Sequence, residues 1–223
     1  MKIISINIPP KEKSAYVLKN SKVTDDERVC RVLNKISEHK PDMIFFIEQY
    51  GPVFNDVKSG LNEYEFFYPK EFTPSKRSFA GIVAAAKKNL TVEECTDGTG
   101  IVEKSGKWLS LKIKGNCYLG IHSPQPNKDS FNDFQNKILE YTAENEPKVI
   151  IGDFNPESGK TIKIDGYTDI LPKNKVTSAF KTKIDYLFVS EKIEFKLPIF
   201  DQTVMERNSL NLFSDHVITG IEL

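Results

Sequence analysis

Apolar residues fall along this chain in two rhythms. Short runs rich in β-branched and aromatic residues occupy positions 2–8, 43–47, 64–68, 79–86, 108–113, 117–121, 149–151, 184–189, 193–199 and 217–222. Runs of that length, bounded by Gly, Pro and Asn, read as strands. Elsewhere the apolar positions recur every three or four residues. Val29, Val32, Leu33 and Ile36 follow Thr24-Asp25-Asp26-Glu27, a capping-box pattern with acids in the first turn, and predict a helix over 24–39. Phe131, Phe134, Ile138, Leu139 and Tyr141 predict a second helix near 128–144, and 52–60 suits a short third. Lys114-Gly115-Asn116 is expected to turn a hairpin between its flanking strands. Leu90–Glu94 is expected to pair beside strand 79–86, Ile193–Ile199 beside 184–189, and a minor strand is expected near 161–164. Strands outnumber helices, and several are sequence neighbours. Two largely antiparallel sheets with helices outside fit that count. No repeat, linker or low-complexity segment divides the chain, which reads as one domain over 1–223.

Composition narrows this picture. Lys plus Arg and Asp plus Glu are 31 each, so the formal net charge is zero and gives no global pull towards a polyanion. Any polyanion site must be local. Arginine appears only at 28, 31, 77 and 207, which limits bidentate phosphate contacts. Cys30, Cys95 and Cys117 form no CxxC pair; an odd, sparse set argues for a reducing compartment and a cytoplasmic setting. The N-terminal apolar run is short and reads as a strand, and no stretch approaches the roughly 20 apolar residues of a membrane span.

The candidate chemistry sits at the strand ends. Val149-Ile150-Ile151 runs into Gly152-Asp153-Phe154-Asn155-Pro156. In an extended segment Asp153 and Asn155 would face one pocket, with Phe154 turned into the core. The same residues also fit an Asp/Asn turn that closes a strand. Asn7, Glu48, His122, Asp185, Asp215 and His216 stand at comparable positions. Oxygen donors without thiolates select Mg²⁺, Mn²⁺ or Ca²⁺, and imidazoles near carboxylates serve as acid or base near neutral pH. Such a set suits phosphate-ester hydrolysis. The third histidine, His39, falls at the end of the first helix, where a cation complements the dipole.

Six pieces in order carry a family resemblance: Lys2-Ile3-Ile4-Ser5-Ile6-Asn7, Pro41-Asp42-Met43-Ile44-Phe45-Phe46-Ile47-Glu48, Gly120-Ile121-His122-Ser123-Pro124, Ile151-Gly152-Asp153-Phe154-Asn155, Ile184-Asp185-Tyr186-Leu187-Phe188-Val189 and Ser214-Asp215-His216. On them the chain resembles the endonuclease/exonuclease/phosphatase superfamily, and among its branches it is most similar to the pancreatic-type deoxyribonucleases. The resemblance implies an α/β (α+β) protein, a four-layer α/β-β/α sandwich with the site at one edge of the paired sheets. It implies that Glu48, helped by Asn7, binds a divalent metal, with Asp215 a metal or phosphate-site ligand. Asp153 would position or activate the attacking water, Asn155 would hold the phosphate, and Asp185 would orient His216. His122 would be a second imidazole near the leaving group, and Lys107 the nearest match to a phosphate-binding arginine. The sequence departs from the family at Ile47, where glutamine is usual. It departs again at Ser75-Lys76-Arg77-Ser78, where the deoxyribonuclease branch carries a glutamate.

For the substrate, three readings stay open. Lys70, Phe72, Lys76 and Arg77 in one loop suit a DNA backbone and its bases, and favour a metal-dependent deoxyribonuclease. Zero net charge and scarce arginine suit a phosphatase or phosphodiesterase for a small phosphorylated molecule or lipid head group. A silent scaffold that binds a partner is the third.

Overall fold

The computed structural model describes residues 1–9, 23–49, 51–70, 72, 81–98, 107–179, 181–205 and 214–223. Among them are twelve strands and three helices in the order β1 (Lys2–Asn7), α1 (Asp25–His39), β2 (Met43–Ile47), α2 (Gly51–Gly60), β3 (Tyr64–Phe67), β4 (Ile82–Lys87), β5 (Val92–Asp97), β6 (Trp108–Ile113), β7 (Asn116–His122), α3 (Ser130–Asn145), β8 (Val149–Asp153), β9 (Tyr167–Asp169), β10 (Asp185–Ser190), β11 (Leu197–Asp201) and β12 (Ile218–Glu222).

Local chemistry explains the best-formed elements. The Thr24 hydroxyl accepts the Glu27 N–H at 3.2 Å, and the Glu27 carboxylate accepts the Thr24 N–H at 2.7 Å, so α1 begins at a reciprocal cap. The β6–β7 hairpin turns at Lys114 and Gly115, both at positive φ (50° and 70°), the turn whose twist matches its strands.

Six strands form each sheet. The first runs β11-β12-β1-β2-β4-β3 and the second β5-β6-β7-β8-β10-β9. Each sheet holds one parallel pair, β1–β2 and β7–β8, whose crossovers carry α1 and α3; every other ladder is antiparallel. The inner faces meet through Ile3, Met43, Phe45, Ala84, Leu109, Leu111, Val149, Ile151 and Leu187. The outer face of the first sheet packs on α1 and α2, and that of the second on α3 through Phe134, Ile138 and Tyr141. The architecture is a four-layer α/β-β/α sandwich of two mostly antiparallel sheets, as expected, each sheet mixed by its one parallel pair.

Two expected pairings and one expected strand differ. The strand near 90–94 is β5, and it pairs with β6 at the edge of the second sheet instead of beside β4. Its largely exposed pattern suits an edge. The strand expected over 193–199 begins only at Leu197 and pairs with β12 in the first sheet, because residues 191–196 carry the chain across from β10. No strand forms at 161–164; the short β9 follows at 167–169 beside β10. No described helix is long and apolar enough to cross a membrane.

Candidate active site

Most of the strand ends expected to carry chemistry meet in one cleft of ≈ 430 Å³ at the sandwich edge. Its walls include Glu48, Lys107, His122, Asp153, Asn155, Asp215 and His216. Strand register does much of the assembly. His122 pairs with Asp153 across β7–β8, and Asp153 with Asp185 across β8–β10, so the three stand in one row. Gly152 makes that row possible. Its φ is +140°, and a Cβ there would lie 2.0 Å from the Ile121 carbonyl oxygen of the neighbouring strand.

Asp153 ends β8 and accepts the Asn155 N–H at 2.9 Å, while Asn155 takes a left-handed φ of 42°. The turn reading and the pocket reading of this segment therefore both hold: an Asx turn, not strand alternation, brings both side chains to the cleft. Phe154 is buried between Tyr186 and Phe188. The Asn155 amide donates to the Ser123 carbonyl at 3.1 Å, and the Ser123 N–H donates to the Asp153 carbonyl at 2.7 Å. The ends of β7 and β8 are thus tied to each other beyond their ladder. Ser123, which lies in the Gly120–Pro124 piece, and Lys128 also line the cleft; no role was expected for Ser123, and no pattern in the sequence had set Lys128 apart.

His216 arrives from the other sheet, just before β12. Its Nδ1 lies 3.0 Å from both Asp185 oxygens, and both side chains are buried. Burial works against an imidazolium there. The Asp185 carboxylate, by charge and hydrogen bond, together with Asp153 and Asp215, outweighs burial and raises the His216 pKa well above its usual value. Asp153 is pushed in the opposite sense. Burial comes first, and the charges of Asp185 and Glu48 add to it, so its pKa rises far above the carboxylate range despite His216 and the Asn155 N–H.

Glu48 follows β2 at a φ of +52°, a conformation that non-glycine residues seldom adopt and that tends to occur at working sites. Burial raises its pKa, and Asp215 adds to the rise; His216, Lys107 and Asn7 act against it. Its side chain keeps 33% exposure, on the cleft side. Asn7, at the end of β1, lies near enough to Glu48 to lower its pKa. Even so, its amide atoms are buried outside good hydrogen-bond geometry. The glutamine that is usual before the acid stands after it here: Gln49 is buried and donates to the Phe46 carbonyl.

His122 lies between Lys107 and Glu48. The Lys107 Nζ is 3.2 Å from Nδ1, and Nε2 is 3.3 Å from the Glu48 Oε1. An ammonium can only donate, which assigns Nδ1 as acceptor and leaves the proton on Nε2, facing Glu48 and, at 3.9 Å, Asp153. Lys76 and Arg77 lie outside the described residues. Phe72 does not stand free to stack on a base: it lies 4.5 Å from the Tyr68 ring and packs edge-on to Phe54.

The arrangement also resembles known structures. No family model matches the chain, and no curated protein matches it by sequence. The endonuclease/exonuclease/phosphatase from Bacteroides vulgatus superposes with a TM-score of 0.72 at 17% identity, over 99% of this chain and 97% of that one. The chain has the endonuclease/exonuclease/phosphatase fold. D. rerio TDP2 complexed with single strand DNA product aligns at 13% identity and TM-score 0.69, covering 99% and 97%. The human Nocturnin catalytic domain with bound sulfate aligns at 16% and 0.67, covering 100% and 93%. The likeness is one of fold, and these neighbours do not single out the pancreatic-type deoxyribonuclease branch.

Among the described residues, no three His, Cys, Asp or Glu side chains form a ready ligand set for a metal. The donors do fit a hard cation that keeps part of its water shell. Four carboxylates, Glu48, Asp153, Asp185 and Asp215, surround the cationic groups His216 and Lys107, with Lys128 on the cleft wall. Burial chiefly raises the Glu48 and Asp153 pKa values and neighbouring carboxylates add to the rise, while the buried Asn7 amide beside Glu48 lacks a well-formed partner.

Proposed function

We propose that this protein is a divalent-metal-dependent phosphodiester hydrolase with nucleic acid, most simply DNA, as substrate, working as one domain over 1–223. The observation that carries the reading is the His122–Asp153–Asp185 row in one sheet, closed by His216 from the other. Glu48, Asn7 and Asp215 would hold Mg²⁺ or Mn²⁺. Such an ion, when bound, polarises a phosphate oxygen and stabilises the developing charge.

The chain's own groups supply the rest. Asp153, whose raised pKa suits a base near neutral pH, orients the attacking water and accepts its proton. Asp185 fixes the Nδ1–H of His216, so the Nε2–H of a protonated ring points at a phosphate oxygen. Asn155 keeps one amide hydrogen for the phosphate after bonding Ser123. His122, with Nδ1 engaged by Lys107, acts as a donor to phosphate through Nε2 rather than as a shuttle. Lys107 adds local positive charge, and Lys76 and Arg77 remain proposed substrate contacts.

A larger cavity of ≈ 980 Å³ shares Thr182 and Ile184 with the cleft, and Lys173 and Lys181 line it. That gives room beyond the scissile phosphate and favours a chain-like substrate. Zero net charge favours the second reading, a small phosphoester. The free thiols Cys30, Cys95 and Cys117 suit a cytoplasmic setting.

The test is a substrate panel of plasmid, single-stranded DNA, RNA and small phosphate mono- and diesters, with Mg²⁺, with Mn²⁺ and with EDTA. Nicked plasmid or shortened oligonucleotide that EDTA abolishes is expected. Turnover of a small ester with intact nucleic acid would replace the substrate. No turnover of any member by wild type would overturn the enzyme reading.

A further inference from the structure

Asp185 opens β10 in one sheet and His216 precedes β12 in the other, so no strand ladder sets the distance between them. Residues 177–179 join the two. The Thr177 hydroxyl oxygen accepts the N–H groups of Ile184 and Asp185, each at 2.9 Å. The Thr177 carbonyl accepts the Val217 N–H at 2.9 Å, and the Ala179 N–H donates to the Asp215 carbonyl at 2.7 Å. Ser178 bridges His216 as an isolated antiparallel contact. Thr177 itself is fully buried.

We propose that Thr177 is the positioning residue that holds Asp185 against His216; its part in turnover rests on the phosphodiester-hydrolase reading above. A hydroxyl oxygen has two lone pairs, and both are used on the peptide that carries the Asp185 carboxylate. The residue's carbonyl meanwhile fixes the residue after His216. One side chain and its own backbone thus hold both halves of the pair. The β-branch limits χ1, so the hydroxyl stays aimed at the two N–H groups. Valine has the same shape and no acceptor. It would leave both N–H groups buried without a partner and let the start of β10 move away. Serine keeps the acceptor.

The experiment compares Thr177→Val and Thr177→Ser with wild type, and with Ile36→Ala, a core change in α1 at the Lys40 and Lys87 end of the first sheet, opposite Glu48. Rates on a small phosphodiester with Mg²⁺ are read well below every melting midpoint. Thr177→Val is expected to lower kcat by about 10²-fold, the effect of an ångström-scale misplacement, with little change in KM. Thr177→Ser is expected to recover most of that loss, and Ile36→Ala to lower the melting midpoint while keeping kcat. A second readout needs no substrate: the Nδ1–H proton of His216, far downfield in the NMR spectrum when bound to a carboxylate. It should persist in Thr177→Ser and move upfield or vanish in Thr177→Val. If Thr177→Val does not fold, Thr177→Ala, with room for a water, takes its place in both readouts. A folded Thr177→Val or Thr177→Ala protein that keeps the wild-type Nδ1–H signal overturns the proposal, as does Thr177→Ser that behaves no better than valine. If wild type turns nothing over, the hydrolase reading fails while the proton signal still decides the role of Thr177.

Discussion

Gly152→Ala tests the register that builds the site. An added Cβ would sit 2.0 Å from the Ile121 carbonyl oxygen, where contacts closer than 3.0 Å are essentially never found, so β7 and β8 must part locally by about an ångström. Two costs combine. The positive φ alone costs an L-residue about 1–3 kcal/mol. Relieving the overlap between paired strands adds about 1–3 kcal/mol, the usual cost of overpacking. A total near 2–6 kcal/mol is a large share of a typical domain stability. Gly115→Ala is the internal control, because its φ is +70° but nothing lies within 4 Å of its added Cβ. It should lose only the first of the two costs. The assay is urea unfolding of the three proteins, with midpoint and slope fitted together. The same displacement carries Asp153 away from His122, so any residual folded Gly152→Ala should lose about 10²-fold in kcat. Equal midpoints for Gly152→Ala and Gly115→Ala would refute the reasoning, because the carbonyl contact would then carry no energy.

Asp201 offers a stability test at acid pH. Burial works against its charge, but hydrogen bonds from His39, Lys35 and Thr203 outweigh that and hold its pKa well below the usual range. A depressed folded-state pKa stabilises above the unfolded value of about 3.9 and loses that stability as pH falls through the folded one. Asp201→Asn should therefore be about 2–3 kcal/mol less stable than wild type at pH 6, by thermal or urea unfolding, with the gap closing below about pH 4. A gap unchanged at pH 2.5 would contradict this. Raised pKa values at Glu48 and Asp153 mean that a divalent cation must displace protons, so its affinity should rise with pH; calorimetry in buffers of different ionisation enthalpy should show proton release. Asp185→Asn should leave His216 without its carboxylate and lower kcat by several orders of magnitude, measured against the same substrate panel.

The sequence by itself determined the elements and most of the cleft's membership. Apolar periodicity marks α1, β1, β2 and β8 because one-face burial leaves a period of 3.6 or continuous apolar runs. Polar residues that interrupt such runs, such as Asn7, Glu48, Asp153 and His216, stand out for the same reason. Only the tertiary structure decided which strands became neighbours. β5 and β11 read as partners of the strands before them, yet each lies in the sheet its chain path reaches, and local propensity holds no information on that choice. The family resemblance pointed to Asp185 orienting His216, but nothing in the sequence showed that the pair spans the two sheets, that Lys107 engages His122, or that Thr177 joins elements eight and forty residues away. Those contacts are set by how the sheets stack and where loops fold back. A hydroxyl in a polar loop looks the same in sequence whether it faces water or holds two buried peptide N–H groups.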